Sequence, residues 1–226
     1  MGVERLRCGG VPWNSDNDRE LTSHGKLRTA LSQRIVAMQP ANLMELAARD
    51  PKTGLVRVVI DTPRGSRNKY KFDQELGAFK LSRMLPAGMS FPFDFGSIPG
   101  TRAEDGDALD VMVLTESPLV VGCVVLVHLV GVIRATQTEQ RRKIRNDRLI
   151  AVIETSVNKP AIRDIAEVPA DQLKDIEHFF RSYNEAQGRP FTIGGRAGPK
   201  AAERMLTGAI KLAQSEPGPS QRRVRR

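Results

Sequence analysis

The chain has 226 residues, enough for one substantial domain with extensions, and its 40% hydrophobic content indicates a folded core with polar ends. Two cysteines, Cys8 and Cys123, exclude a disulfide scaffold and a structural zinc cluster and suit a reducing compartment. The net charge of +9 is uneven: residues 217–226 hold four arginines and no acid, and residues 134–148 hold six bases against Glu139 and Asp147.

In chain order, the first 25 residues read as loop, and residues 26–49 carry apolar spacing for helices around Pro40 (Leu27, Leu31, Ile35, then Leu43, Leu46). Residues 1–54 are taken as an appendage, partly disordered or helical. No apolar h-region follows the charged N-terminus, so a signal peptide is not expected. The domain is expected over 55–214. Strand-like runs occur at 56–60, 69–72, 111–114, 120–130 and 149–153, separated by turn residues. The apolar stretch 118–133 is too short for a spanning helix and, being rich in Val, reads as two buried strands or one long bent strand. Helical periodicity covers 169–186 (Leu173, Ile176, Phe179, Phe180, Tyr183) and 199–213 (Ala202, Met205, Leu206, Ala209, Leu212). Residues 215–226 read as a disordered basic tail. Strands first and helices last predict an α+β fold.

The chemistry concentrates in the acidic turn Asp105-Gly106-Asp107-Ala108-Leu109-Asp110. Three aspartates at i, i+2 and i+5 around a glycine can converge oxygens on a hard cation such as Mg²⁺; an acidic turn capping a strand is the equal alternative. Upstream lie Asp61, Lys69, Arg83 and the run 91–99 (FPFDFGSIP). Carboxylates flanked by separated cations suit a polyphosphate, whose oxygens a metal bridges and basic side chains neutralise. His128 and His178 are expected to pack in the core, and Cys123 to serve as a small core hydrophobe.

Residues 58–114, with GVIR (131–134), LIAV (149–152) and HFFRSY (178–183), together resemble the family I soluble inorganic pyrophosphatases. The resemblance implies a five-stranded OB-like antiparallel barrel with flanking C-terminal helices. It implies a cytoplasmic homo-oligomer that hydrolyses pyrophosphate to phosphate, using Mg²⁺ with Mn²⁺ as a substitute; no membrane partner is expected from the short, Val-rich stretch 118–133. It assigns metal binding to Asp105, Asp107 and Asp110, with Asp61 and Asn146 less secure, and catalysis to Asp107 and Arg83. Lys69, Arg83, Arg148 and Tyr183 would bind phosphate. Several positions depart from the family pattern. Lys71 replaces a glutamate, and Phe91 and Phe95 replace tyrosines. Gln137 and Asn146 replace aspartates, Asn184 replaces a lysine, and Ala108 replaces a proline. A one-residue slip in the insertion 138–145 would offer Asp147 in place of Asn146. These losses predict impaired turnover, or a non-catalytic phosphate- or pyrophosphate-binding protein. Nucleic-acid contact is expected only from the basic tail, because an aromatic stacking surface is not evident.

Overall fold

The β-branched runs assemble into one mixed sheet in a computed structural model that describes residues 42–139, 142–154 and 162–215. Its strands are β1 (Val56–Thr62), β4 (Asp94–Ile98), β5 (Leu109–Leu114), β6 (Val124–Glu139), β7 (Arg142–Arg145), β8 (Arg148–Ile153) and β9 (Phe191–Ala197). The order is β1-β4-β5-β8-β6-β7, with β9 added on β6 and β1 also pairing the first part of β6. The strands β2 (Asn68–Asp73) and β3 (Ala78–Met84) form a separate hairpin. Two helices follow, α1 (Ala170–Glu185) and α2 (Pro199–Ser215).

Each face of the sheet buries a different helix. Met112, Ile133 and Ile150 pack with Leu173, Ile176 and Phe180 of α1. Val111, Val132 and Leu149 pack with Ala202, Leu206 and Ala209 of α2. Residues that alternate along one strand therefore enter different cores, as the period of two requires. Burying a side chain such as Ile176 or Leu206 contributes about 1.5–3 kcal/mol. Gly96 is required by close approach: a Cβ there would overlap the Val59 carbonyl oxygen and lie 2.8 Å from Val58 Cγ1.

The expected five-stranded OB-like antiparallel barrel is corrected. The sheet has seven strands and is mixed, because β5 and β8 run parallel, pairing Val111 with Leu149 and Val113 with Ala151. Both strands are buried on both faces, the environment parallel pairs occupy. The long apolar stretch forms one strand with a register shift between Leu129 and Gly131, and residues 118–123 precede it. His128 is not a core residue: it is half-buried and pairs with Glu154, with Arg163 beside it. His178 is exposed on α1, whereas Cys123 packs half-buried against the core. Among the described residues, no helix is long and apolar enough to cross a membrane.

Residues 42–50 dock on the sheet. Ala48 is buried, its carbonyl accepts from the Arg57 N–H at 2.8 Å, and Arg49 pairs with Glu203 of α2. The Arg57 guanidinium returns to Asp50 at 2.6 Å. The helical spacing over 26–41, Cys8 and the basic tail 216–226 lie outside the described residues.

Candidate functional site

Two neighbouring strands present the first carboxylate. The register between β1 and β4 shifts between Ile60 and Thr62, so Asp61 is the extra residue of a bulge, a device that re-aims a side chain. Asp61 is buried and accepts a hydrogen bond of 2.5 Å from Ser97 Oγ on β4, while its Oδ1 has no partner. Burial pushes its carboxyl up to about 7, and the nearby Asp110 carboxylate adds to the rise. The Ser97 hydroxyl and the ammoniums of Lys69 and Lys71 oppose it. Ser97 escapes sequence reasoning as a site residue, because its role depends on the β1–β4 pairing.

On β2, Lys69 and Lys71 are two apart and share a face. Lys69 Nζ lies 5.3 Å from the centre of the Phe95 ring and 5.5 Å from that of Tyr183 on α1, a cation held over aromatic faces. Lys71 Nζ donates to both oxygens of Asp107, at 2.9 and 2.8 Å. Gly106, at φ 88°, supplies the left-handed bend of the acidic turn, and Asp105 Oδ1 accepts from the Asp107 N–H at 3.1 Å. Asp110, at the start of β5, pairs with Arg148 of β8 at 2.9 Å. The three aspartates are thus held on separate partners. Among the described residues, no three carboxylate, histidine or cysteine side chains are grouped to enclose a cation.

Arg148 is buried, with its guanidinium 5.2 Å from the Phe180 ring centre and its Nε without a partner. It also bonds Asn146 Oδ1, and Asn146 Nδ2 donates to Gln137 Oε1 at 2.6 Å. Gln137, on β6, and Asn146, just before β8, therefore face each other. Asp147 is committed elsewhere: it accepts from the Ala135 N–H at 3.0 Å and pairs with Arg145 at 2.6 Å. Asn184 is buried on α1 and donates to the Phe180 carbonyl at 2.7 Å, so it serves its own helix. Phe91 and Phe95 are packed with Phe179, Phe180 and Tyr183.

Asp61, Lys69, Lys71, Asp107 and Asp110 line one cleft of about 1070 Å³, to which Asn42, residues 44–49, and Ile210 and Ala213 of α2 also contribute. Asp105 instead lines a second cleft of about 450 Å³ with Arg134, Arg145 and Arg204. Arg83 lies across the hairpin from Lys69, exposed, and makes no hydrogen bond or ion pair among the described residues. The structure thus brings together Asp61, Lys69, Asp107, Asp110, Arg148 and Tyr183, and leaves Arg83 outside that group. The donor chemistry fits a hard divalent cation: carboxylate oxygens dominate, and Asp61 Oδ1 is a buried acceptor awaiting a positive partner.

Known proteins share this arrangement of elements. The family model for inorganic pyrophosphatase matches residues 58–214. An inorganic pyrophosphatase of Thermus thermophilus is 40% identical over 149 residues, 66% of this chain and 83% of that protein. One from Geobacillus stearothermophilus is 36% identical over 156 residues, 69% of this chain and 92% of that protein. The crystal structure of a Thermus thermophilus inorganic pyrophosphatase superimposes with a TM-score of 0.70 at 37% identity, covering 77% of this chain and 99% of that one. A Neisseria gonorrhoeae inorganic pyrophosphatase gives a TM-score of 0.68 at 28% identity, covering 76% and 98%.

Proposed function

This chain belongs to the inorganic pyrophosphatase family, and on that premise we propose that it hydrolyses inorganic pyrophosphate to two phosphates with Mg²⁺. The observation that carries the reading is the convergence of Lys69, Asp61 and Asp110 on one cleft, with buried Arg148 held on Asp110. Hydrolysis adds water across one P–O bond. Lys69 and Arg148 bind and orient the phosphoryl oxygens, and the guanidinium is suited to two of them at once. Tyr183, beneath Lys69, keeps that ammonium at the mouth. The proton released by the attacking water goes to a carboxylate, Asp107 at the rim or Asp61 at Oδ1, and Asp61 near 7 is poised to take one at neutral pH. Asp61 and Asp110 are the carboxylates of this cleft that would hold Mg²⁺, since Lys71 takes both oxygens of Asp107 and Asp105 lines the neighbouring cleft. When bound, Mg²⁺ supplies Lewis acidity that screens phosphate oxygens and makes water a better nucleophile. Mn²⁺ serves as a substitute, having the same preference for oxygen ligands.

Turnover is proposed to be slower than full carboxylate ligation would allow. Gln137 and Asn146 satisfy each other and offer no charge, and Phe91 and Phe95 have no hydroxyl to present. Removing one well-placed electrostatic partner costs on the order of 10²–10³ in rate. Phosphate release from pyrophosphate, with and without Mg²⁺, tests the activity. The double variant Gln137→Asp, Asn146→Asp tests the rate and is expected to be faster. A wild-type protein that binds pyrophosphate by calorimetry but releases no phosphate would instead be a binding protein. Exposed Leu81 and Met84 on β3 support self-association, read by light scattering, and a cytoplasmic location is proposed with the activity.

A further inference from the structure

Among the described residues, the Lys71–Asp107 pair is unlike the other ion pairs. Its ammonium takes both carboxylate oxygens, at 2.9 and 2.8 Å, and does so at the rim of the cleft that holds Asp61, Asp110 and Lys69. Both side chains are more than half exposed, so the contact does not hold up the core. Exposed pairs contribute little to stability, which leaves the fold no need of this one. What the pair does change is charge. With Lys71 in place, the Asp107 carboxylate is neutralised by a cation that cannot dissociate from the chain.

We propose that Lys71 is a tethered cation occupying, on Asp107, the place of a dissociable divalent ion, so that the site takes fewer metal ions and binds pyrophosphate partly without them. An ammonium has three N–H donors, and two go to Asp107. No other acceptor bonds Lys71 among the described residues, so its third donor is available to a phosphate oxygen. Lys69, two residues back on the same face of β2, sets a second ammonium beside the same cleft. The two lysines and Arg148 offset the charges of Asp61, Asp107 and Asp110, and a polyanion entering the cleft meets a neutral mouth in place of an acidic one. The opposite sign at position 71 would make a metal obligatory for entry. The inference rests on pyrophosphate as the ligand, as proposed above, and adds which part of its recognition belongs to the chain itself.

The test compares the full-length protein with Lys71→Met, and with Lys80→Met as a control. Lys80 stands directly opposite Lys71 in the hairpin but pairs with Asp73 and does not line the cleft, so its loss removes an equal charge from the same hairpin without removing a cleft contact. Two quantities are measured, neither of which needs turnover. The first is pyrophosphate affinity in chelator by calorimetry; Lys71→Met is expected to weaken it at least tenfold, and Lys80→Met by less than threefold. The second is the number of Mn²⁺ ions bound at saturation without pyrophosphate, by equilibrium dialysis; Lys71→Met is expected to bind one more than the wild type. Melting temperatures of all three check folding, and Lys71→Gln repeats both measurements should the methionine variant be unstable. An unchanged Mn²⁺ count overturns the proposal, as does a loss of metal-free affinity no greater than that of the control. Absence of phosphate release by the wild type would refute the hydrolytic reading alone and leave both measurements interpretable.

Discussion

Replacing Asp61 with asparagine isolates the cost of holding a charge in the bulge of β1. The wild-type carboxyl rises from an ordinary 3.8 to about 7 in the folded protein, because burial disfavours the ion. Between these values the folded chain holds a proton that the unfolded chain has lost. The stability linked to this group is therefore fully present below 3.8 and falls as pH rises to about 7. Each pH unit in that interval is worth about 1.4 kcal/mol, so the whole interval amounts to roughly 4 kcal/mol. Between about pH 5 and about pH 8, the part still to be lost is roughly 3 kcal/mol, a large share of the 5–15 kcal/mol typical of a domain. The amide introduced by Asp61→Asn cannot ionise, and its oxygen can still accept from Ser97 Oγ. Urea unfolding of both proteins in chelator should show the variant gaining roughly 3 kcal/mol on the wild type between those two pH values, the other carboxylates cancelling in the difference. Mg²⁺ at the higher pH should then stabilise the wild type more than the variant. Parallel stability–pH curves would refute the assignment of a raised carboxyl to Asp61.

Other substitutions have equally definite outcomes. Gly96→Ala forces a Cβ against the Val59 carbonyl and should cost about 1–3 kcal/mol in urea unfolding, with loss of pyrophosphate binding as Asp61 shifts with β1. Asp147→Ala leaves the Ala135 N–H without its acceptor and should cost about 1–3 kcal/mol; Mn²⁺ affinity should be unchanged, because this carboxylate is taken by Arg145 and does not line the cleft of Asp61 and Lys69. Asp110→Asn removes the charge that pairs with Arg148 and should weaken Mn²⁺ binding at least tenfold by dialysis while the far-ultraviolet dichroism stays unchanged.

Apolar pattern made the central elements legible. The run at 149–153 became β8, the run at 111–114 lay within β5, and the periodicity at 169–186 and 199–213 became α1 and α2. Strand direction was harder to see, because it depends on which distant run arrives alongside. The double-sided burial of Val111–Val113 and Leu149–Val152 is the one local hint of a parallel pair. β3 leaves little trace in the sequence because AFKLSRM is largely exposed and has no burial alternation, and β9 because two glycines interrupt it. In the site, Asp61, Lys69, Asp110 and Arg148 were legible through resemblance. Their partners Ser97 and Phe180 depend on tertiary packing, and so does the docking of residues 42–50 on α2 and the sheet. The acidic turn was expected to converge on an ion; sequence spacing shows where carboxylates can meet, but not that Lys71 and Arg148 reach them first.

β6 pairs with four other strands: β1 along its first residues, β8 through its middle, and β7 and β9 toward its end. Its neighbours come from both directions along the chain, with β1 far upstream and β9 far downstream. Among these partners β7 is the nearest in sequence, starting at Arg142 after β6 ends at Glu139. Closing long loops is entropically slow, and rates fall as the mean separation of contacting residues grows. This strand should consolidate last, with the nearby β2–β3 and β4–β5 hairpins forming ahead of it. Hydrogen exchange during refolding would then show the amides of Val125 and Val127 gaining protection after those of Val111 and Val113. Synthesis from the N-terminus would leave the sheet incomplete until residue 197 emerges, the point at which the chain first has every strand it needs.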